Sequence, residues 1–403
     1  MSNVSVSNYN VPRESYLRIF LRFLKFGLLA WGGPVAQIAM LRQELVEDEK
    51  WITPERFNRV LAVYQVLPGP EAHELCVYFG MLSRGRIGAF LAGLGFMLPG
   101  FILMFLLSWF YAAVGISSPL FQAVFLGMQP AVAALIVRAV QRIGEHALHE
   151  DRWLWGIALG AGLAQLLGVN FLFILIASGF VYALVGLNRM KIAFLVSGLF
   201  VAALTLTALG LVPLPDLQSG SVTQGAEGAP TVWRLLIGGL RAGLLTFGGA
   251  YTAIPFLQHD AVQVGGWMTN AQFLDGLALS GLLPAPLIIF STFVGFIGGG
   301  PLGAVAMTVG VFAPAFAFTM IGHDYLEKLV EMRSVHAFLD GVTAGVVGLI
   351  AATALGILNE TLIGIQAWTV FALALIILFR SKAKWTVAAV VLSAGVYGYL
   401  FMQ

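Results

Sequence analysis

The chain has little charge and almost no cysteine for its length. Of its 403 residues only 10% are charged, and Cys76 is the single cysteine, so the sequence lacks a disulfide framework. Soluble domains carry about 25% charged residues. Walker loops, dinucleotide fingerprints and zinc-ligand spacings do not occur either. We therefore expect no large soluble domain, no ATP hydrolysis within the chain, no metal or other cofactor, and no binding of nucleic acid.

Apolar residues make up 59% of the chain, in runs that recur from residue 17 to the C-terminus. A membrane-spanning helix needs roughly 20 such residues, so the sequence predicts an all-α polytopic membrane protein that is surrounded by the lipid bilayer. The first 15 residues show no basic patch before an apolar core, and we expect no cleaved signal peptide. The predicted full-length spans are 87–113, 118–137, 153–170, 171–188, 192–212, 302–322, 336–358, 364–379 and 385–402.

An internal repeat organises the chain. The run FGLLAWGGP at 26–34 is matched by AGLLTFGGA at 242–250, and matched Gly, Pro and Trp residues continue at near-constant spacing. Segment 213–231 is rich in Pro, Gly and Ser and is predicted to be a linker. We therefore expect an N-terminal transporter repeat at 1–212 and a C-terminal repeat at 232–403.

The two repeats are predicted to have opposite orientations. The first has one predicted span more than the second, which leaves it with an odd number of crossings. Segment 42–59 carries four Lys and Arg residues, whereas its counterpart 258–275 carries none. Four basic residues precede the first apolar run, so the positive-inside rule predicts a cytoplasmic N-terminus and a periplasmic C-terminus. Arg138 and Arg142 are assigned to a cytoplasmic loop after the span at 118–137.

Two apolar segments in each half are broken by Gly and Pro. Backbone broken at membrane depth persists only where protein or water satisfies it, and paired broken segments in two halves indicate a transporter's binding site. The helix N-termini freed by the breaks suit an oxyanion. The alternative is that the glycines and prolines only kink helices. The segments are either re-entrant hairpins or complete broken spans, and basic residues on both flanks of 26–41 favour hairpins.

The predicted site residues fall into three groups. Those predicted to bind substrate lie at or beside the breaks and are Gly32, Gly33, Pro34, Gln65, Pro68, Gly69, Pro70, Gly248, Gly249, Ser280, Pro284, Ala285 and Pro286. Those predicted to attract anions border the broken segments and are Lys25, Arg42, Arg84, Arg86 and Arg241, although each of them alone is also explained by topology.

The third group follows the break at 68–70 and consists of Glu71, His73 and Glu74. Ionisable groups within membrane segments are costly and usually functional, so we predict a proton-linked gate here, with Glu71 as its first candidate. The alternative is that the break lies at the membrane surface and that these groups meet water. Asp275, in the second half, is predicted to be a helix-cap residue.

These residues resemble a known family. Phe26-Gly27, Gly32-Gly33-Pro34, Trp51, the run from Gln65 to Pro70, and Leu98-Pro99 resemble the amino-terminal signature of chromate ion transporters. The resemblance covers almost the whole chain. It implies the long, two-domain type of a bacterial inner-membrane protein that exports chromate, with sulfate as a chemically similar dianion.

The second half departs from the family pattern. Many members carry a Thr-Thr-Pro-Gly-Pro run preceded by an acidic residue there, whereas this chain has the run from Ser280 to Pro286. We expect a secondary active transporter whose efflux of chromate is coupled to an ion gradient or to the membrane potential. The alternatives are a transporter of sulfate, molybdate or a small carboxylate, and a membrane scaffold without transport.

An intramembrane enzyme is disfavoured. Val77 stands where a metalloprotease helix would need its second histidine after His73. The two repeats pack either within one chain or across a homodimer, and the sequence leaves both arrangements open.

Overall fold

The structure is a computed structural model that describes residues 11–115, 118–148, 151–208, 230–247, 250–330, 332–381, 383 and 385–402. Regular structure in these ranges is helical. Short π-helical segments at Gln43–Asp48, Tyr111–Gly115 and His259–Val264 extend three of the helices. The α-helices are α1 (Tyr16–Leu28), α2 (Gly33–Arg42), α3 (Pro54–Val66), α4 (Glu71–Phe110), α5 (Pro119–Ala147), α6 (Arg152–Leu166), α7 (Phe171–Gly186), α8 (Met190–Ala208), α9 (Val232–Leu244), α10 (Ile254–Gln258), α11 (Asn270–Gly281), α12 (Phe290–Val330), α13 (Arg333–Thr361), α14 (Gly364–Arg380) and α15 (Thr386–Phe401).

Several of these helices are long and apolar enough to cross a membrane. Four such stretches lie in the described residues, at Glu71–Gly115, Pro119–Ala147, Leu287–Gly322 and Ser334–Thr361. Shorter apolar helices lie at Phe171–Gly186, Met190–Ala202, Gly364–Arg380 and Thr386–Phe401. The prediction of an all-α polytopic membrane protein is thereby confirmed. The predicted linker lies outside the described residues except for its last two positions.

The predicted end of the span at 118–137 is wrong. The span predicted at 118–137 is part of α5, which continues to Ala147, so Arg138 and Arg142 lie in a helix and not in a loop. Ala139 and Ile143, which are also four residues apart, are buried. This last part of α5 is therefore amphipathic. The prediction counted only the unbroken apolar run, and that run stops before Arg138.

Repeat-related helices begin with the same kind of cap. The hydroxyl of Ser15 accepts a hydrogen bond from the backbone N–H of Arg18, and Thr231, at the matching position, accepts one from Arg234, both at 3.3 Å. Thr53 and Thr269 cap α3 and α11 in the same way. Such caps each stabilise a helix by about 1 kcal/mol, so the repeat is visible in local structure as well as in sequence.

Two helices, α4 and α12, each contain a tight turn at matching positions. Arg84 has φ −145° and ψ 28°, and Gly299 has φ −148° and ψ 24°. Gly85 follows with φ 61° and ψ −154°, and Gly300 with φ 60° and ψ −151°. Only glycine adopts this last conformation readily. Each helix is therefore a hairpin with a short first arm (71–83 or 290–298) and a long second arm.

The first broken segment of each half also forms a hairpin. Lys25 Nζ lies 3.3 Å from a carboxylate oxygen of Glu44, so the chain after α2 returns beside α1. In the second half Arg241 pairs with Asp260 in the same manner. These ion pairs agree with re-entrant hairpins rather than with complete spans.

The second broken segment of each half returns in the same way. The rings of Trp51 and Phe79 lie 6.0 Å apart, which places the start of α3 beside the end of the short arm of α4. In the second half, a Cβ added to Gly298 would lie 2.8 Å from Nε1 of Trp267. The breaks at 32–34, 68–70 and 284–286 therefore lie at the tips of hairpins.

Close backbone packing holds α1 and α9 to the long arms. A Cβ on Gly27 would lie 2.3 Å from the carbonyl oxygen of Phe96, and one on Gly243 would lie 2.3 Å from that of Val311. Small residues permit such approach between helices in membranes. The same contact occurs in both halves, at matching positions.

The long arm of α4 runs alongside α12. The rings of Phe90 and Phe316 are 5.7 Å apart, and those of Phe105 and Phe296 are 5.3 Å apart. The turn at Gly85 lies next to the first contact and the turn at Gly300 next to the second, so the two turns are at opposite ends of this contact. The opposite orientation of the halves in a membrane stays a prediction.

Candidate functional site at the helix breaks

The break at residues 32–34 depends on glycine. Gly32 has φ 89° and Gly33 has φ 77°, in the left-handed region that side chains disfavour. Pro34 then opens α2, whose N-terminus has no side-chain cap. A Cβ on Gly33 would meet no atom within 4 Å, because this break borders open space. The glycine is thus required by the backbone conformation and not by packing.

The break at residues 68–70 is tied to the other half. The backbone N–H of Gly69 donates a hydrogen bond of 2.8 Å to the carbonyl oxygen of Thr246, which ends the α9 arm of the second half. Pro68 and Pro70 are buried at this joint. The predicted residues Gly248 and Gly249 lie outside the described residues. The break of the first half at 68–70 is therefore joined by a main-chain hydrogen bond to Thr246, just after α9 in the second half.

The break at residues 284–286 packs on the long arm of α4. Pro284, Ala285 and Pro286 are buried, and a Cβ on Gly100 would lie 2.5 Å from that of Ala285. Ser280 precedes the break and donates a hydrogen bond of 2.9 Å to the carbonyl of Leu277. This break is therefore held against the first half by close contact.

Two neighbouring cavities lie at these breaks. The first, of about 430 Å³, we call the break cavity, because breaks of both halves line it. Its lining includes Trp31, Gly32, Gly33, Pro34, Arg138, Arg142, Tyr251, Ser280, Gly281, Ala285, Ser381 and Thr386.

The second cavity, of about 410 Å³, we call the Glu71 cavity. Its lining includes Pro34, Gln65, Glu71, Arg142, His146, Tyr251, His336, Asp340 and Thr343. Five residues line both cavities and so form the wall between them: Pro34, Val35, Ala139, Arg142 and Tyr251. Residues from both halves, including α5 of the first half, thus surround the two cavities.

The predicted acidic group is split by the structure. Glu71 is 7% exposed and lines the Glu71 cavity. His73 is fully buried among aromatic rings, 4.9 Å from Phe312 and 4.7 Å from Phe316. Glu74 is fully buried, and neither of its carboxyl oxygens has a hydrogen-bond partner in the described part of the chain. Only Glu71 of the three borders a space that can hold an anion.

The basic residues predicted to attract anions lie elsewhere. Lys25 pairs with Glu44, Arg42 with Glu47 and Arg241 with Asp260. Arg84 donates a hydrogen bond of 2.6 Å to the carbonyl of Glu14, and Arg86 is exposed beside the same turn. None of the five is among the residues that line the break cavity or the Glu71 cavity.

Arg138 and Arg142, which the sequence reasoning assigned to a loop, line the break cavity instead. Both are half-buried on α5, and neither lies within 4.0 Å of an acidic group in the ranges that the structure describes. Their spacing of four residues places them on one face of a helix. That spacing, together with the apolar Ala139 and Ile143, is a helical pattern from which the longer α5 could have been predicted.

Asp275 is a buried hydrogen-bond acceptor, and its prediction as a helix cap is wrong. Thr269 and Gln272 cap α11 through a capping box. Asp275 accepts hydrogen bonds from the hydroxyl of Tyr111 at 2.7 Å and from the amide of Gln129 at 3.0 Å. It therefore joins the second half to α4 and α5 of the first.

The chain is similar to known proteins along nearly its whole length. A family model described as chromate transporter matches residues 17–210 and 233–399. A chromate transport protein of Pseudomonas aeruginosa is 57% identical over 393 residues, which are 96% of this chain and 93% of that protein. A chromate transport protein of Cupriavidus metallidurans is 28% identical over 393 residues, which are 97% of this chain and 94% of that protein.

A shorter relative matches part of the chain. An uncharacterized transporter of Bacillus subtilis is 33% identical over 151 residues, which are 36% of this chain and 74% of that protein. No solved structure matches the chain.

Proposed function

Because the chain belongs to the chromate transporter family, we propose that it is a secondary active transporter that moves chromate out of a bacterial cell across the inner membrane. The observation that carries this proposal is the break cavity. Gly32, Gly33 and Pro34 from one half and Ser280 and Ala285 from the other line the same space. Paired broken helices around one site are the usual construction of a transporter's binding site.

Chromate enters this site from the cytoplasm. Arg138 lines the break cavity, His146 lines the Glu71 cavity, and both lie near the end of α5 at Ala147. Ser381, in the connection between α14 and α15, lines the break cavity at that same end. With the N-terminus in the cytoplasm, as the positive-inside rule predicts, this end faces the cytoplasm. The arrangement therefore suits a transporter whose binding site is open to the cytoplasm.

Glu71 couples the dianion to a proton. A carboxylate in the same cavity repels chromate, and protonation of Glu71 removes that repulsion. Protonation and anion binding therefore favour each other, and by linkage the effect is reciprocal. Chromate accompanied by one proton still carries a net charge of −1, which an inside-negative membrane potential drives outward with about 2.3 kcal/mol per 100 mV.

The two halves act as inverted repeats, 1–212 and 232–403 around the linker 213–231. The turns at Gly85 and Gly300 lie at opposite ends of the contact between α4 and α12, which supports this orientation. The alignment with the Bacillus relative covers 36% of this chain, which supports the repeat as a unit. The C-terminus then lies outside the cytoplasm. Sulfate, a tetrahedral dianion, is the expected competitor, and the protein has no enzymatic role in this proposal.

The test is uptake of radiolabelled chromate into inside-out proteoliposomes that contain the purified chain. We expect protein-dependent uptake that sulfate inhibits and that a vesicle-interior-positive potential accelerates. Absence of chromate uptake in sealed vesicles under every imposed gradient overturns the proposed substrate. Uptake of sulfate, molybdate or a small carboxylate in its place would support the other anion transporters, and absence of any flux would favour a scaffold.

A further inference from the structure

The strongest unassigned feature of the molecule is a pair of arginines in the wall of its cavities. Arg138 and Arg142 lie one helical turn apart on α5, and both line the break cavity. Arg142 also lines the Glu71 cavity. We propose that Arg142 and Arg138 together form the binding site of a tetrahedral dianion. This inference rests on the proposed function and adds the substrate-binding residues to it.

Charge balance distinguishes these two arginines from the arginines that pair with an acid beside the first broken segment of each half. Arg22, Arg42 and Arg241 each pair with a carboxylate. Neither Arg138 nor Arg142 has an acid within 4.0 Å among the described residues. A half-buried charge without a partner costs free energy. The protein keeps two of them at one cavity, and a dianion supplies the charge that balances both.

The chemistry of guanidinium fits this ligand. Its planar fork donates two parallel hydrogen bonds to oxyanions, and the group stays charged at every physiological pH. Two forks four residues apart on one helix face reach different oxygens of one tetrahedral ion. Lysine supplies the charge without the fork, so the pair recognises shape as well as charge.

The position of Arg142 gives it a second property. With Tyr251, which follows the first break of the second half, it forms part of the wall between the two cavities. An anion in either cavity therefore has this arginine in its wall. Arg138 lines only the break cavity of the two, so a dianion that contacts both arginines lies in the break cavity.

The experiment is equilibrium binding of radiolabelled chromate to the purified, detergent-solubilised chain, combined with uptake by proteoliposomes. Arg142→Gln should weaken binding by about 10- to 100-fold and Arg138→Gln by about tenfold, because each removes charge-assisted hydrogen bonds. Arg142→Lys should recover part of the affinity but discriminate less between chromate and nitrate, a planar monoanion. The matched control is Arg152→Gln, which removes an exposed charge at the start of α6 outside both cavities.

The outcomes separate this inference from the proposed function. If Arg142→Gln and Arg138→Gln bind and transport chromate like the unmodified chain, the arginine site is wrong and chromate transport stands. If the unmodified chain does not take up chromate, the proposed function fails, and the same variants are titrated with sulfate and molybdate. Binding of either ion that depends on Arg142 then supports the site, and binding that does not depend on it overturns the site.

A folding defect has its own control. Each variant is compared with the unmodified chain by size-exclusion chromatography and thermal unfolding. If Arg142→Gln does not fold, Arg142→Lys decides, since it keeps the charge. Unchanged selectivity of Arg142→Lys between chromate and nitrate contradicts recognition by the guanidinium fork.

Discussion

The hydroxyl of Tyr111 donates a hydrogen bond of 2.7 Å to the carboxylate of Asp275, and this bond joins the two halves of the chain. Tyr111 lies at the end of α4 in the first half, and Asp275 lies within α11 in the second. Asp275 is 6% exposed, and its other oxygen accepts a hydrogen bond from Gln129. Both oxygens of this buried carboxylate are therefore satisfied by the opposite half.

Tyr111→Phe is expected to destabilise the fold. It leaves one oxygen of buried Asp275 without its donor, and hydrogen bonds to charged groups contribute about 1.5–3 kcal/mol. The measurement is thermal unfolding of the detergent-solubilised protein, in which the apparent Tm should fall. Tyr397→Phe is the matched control, because no hydrogen bond to the hydroxyl of Tyr397 occurs in the ranges the structure describes. Equal Tm values for the two variants would contradict a structural role for the bond.

The pH dependence of transport is expected to follow Glu71 and not Glu74. Protonation of Glu71 favours the dianion, so chromate flux should fall as pH rises from about 5 to 8. Glu71→Gln is permanently neutral and should remove the part of this pH dependence that the carboxyl causes, leaving the part that comes from protonation of chromate itself. Since chromate itself takes up a proton to form hydrogen chromate within this range, each variant is compared with the unmodified chain at equal pH, and an unchanged pH profile in Glu71→Gln would contradict the role of Glu71.

Glu74→Gln provides the comparison for that measurement. The Glu74 carboxyl is fully buried away from both cavities, and the amide has nearly the same size. We expect this variant to keep the pH profile of the unmodified chain. A flat profile for Glu74→Gln, with a normal profile for Glu71→Gln, would exchange the roles of the two residues.

Alanine at Gly85 or at Gly300 should destabilise the protein to a similar extent. Both glycines have φ near +60° and ψ near −150°, a conformation that costs other residues about 1–3 kcal/mol. Gly156→Ala is the control, because Gly156 is helical and a Cβ there would meet no atom within 4 Å. Chemical or thermal unfolding of the three variants checks this expectation. If only one of the two turn variants were less stable than the unmodified chain, the expectation of similar destabilisation would be wrong.

The inverted orientation is tested by single cysteines at matching positions. Arg86 and Pro301 directly follow the two turns and are both exposed. In a Cys76→Ser background, Arg86→Cys should react with a membrane-impermeant maleimide only in inside-out vesicles. Pro301→Cys should react only in right-side-out vesicles. Reaction of both from the same side would contradict the inversion.

The sequence predicts the fold well where its pattern is periodic or repeated. Residues 84–85 and 299–300 occupy corresponding positions in the two repeats, although neither pair by itself predicts a turn. Their dihedral angles agree within a few degrees. The breaks were found because Gly and Pro act locally on the backbone. Such features need no knowledge of distant contacts.

The site was harder to predict because its residues meet through tertiary contacts. Arg142 and Tyr251 come from different halves and share a cavity wall. Lys25 and Arg241 were predicted to attract anions because of their charge, but in the structure each pairs with an acidic residue. Whether a charge has a partner is decided by packing between elements, and a single sequence does not contain that information.

The hydrogen bond from Gly69 to the carbonyl of Thr246 involves only main-chain atoms. Substitution of Thr246 leaves its acceptor in place, and among the twenty residues only proline at position 69 would remove the donor. The junction therefore tolerates a change of side chain at Thr246, whereas Gly69 is constrained, because its φ is 154° and an added Cβ would lie 2.8 Å from a carboxyl oxygen of Glu74. A mutational scan of Thr246 that reads only side-chain effects would therefore pass over the part of this residue in joining the two halves.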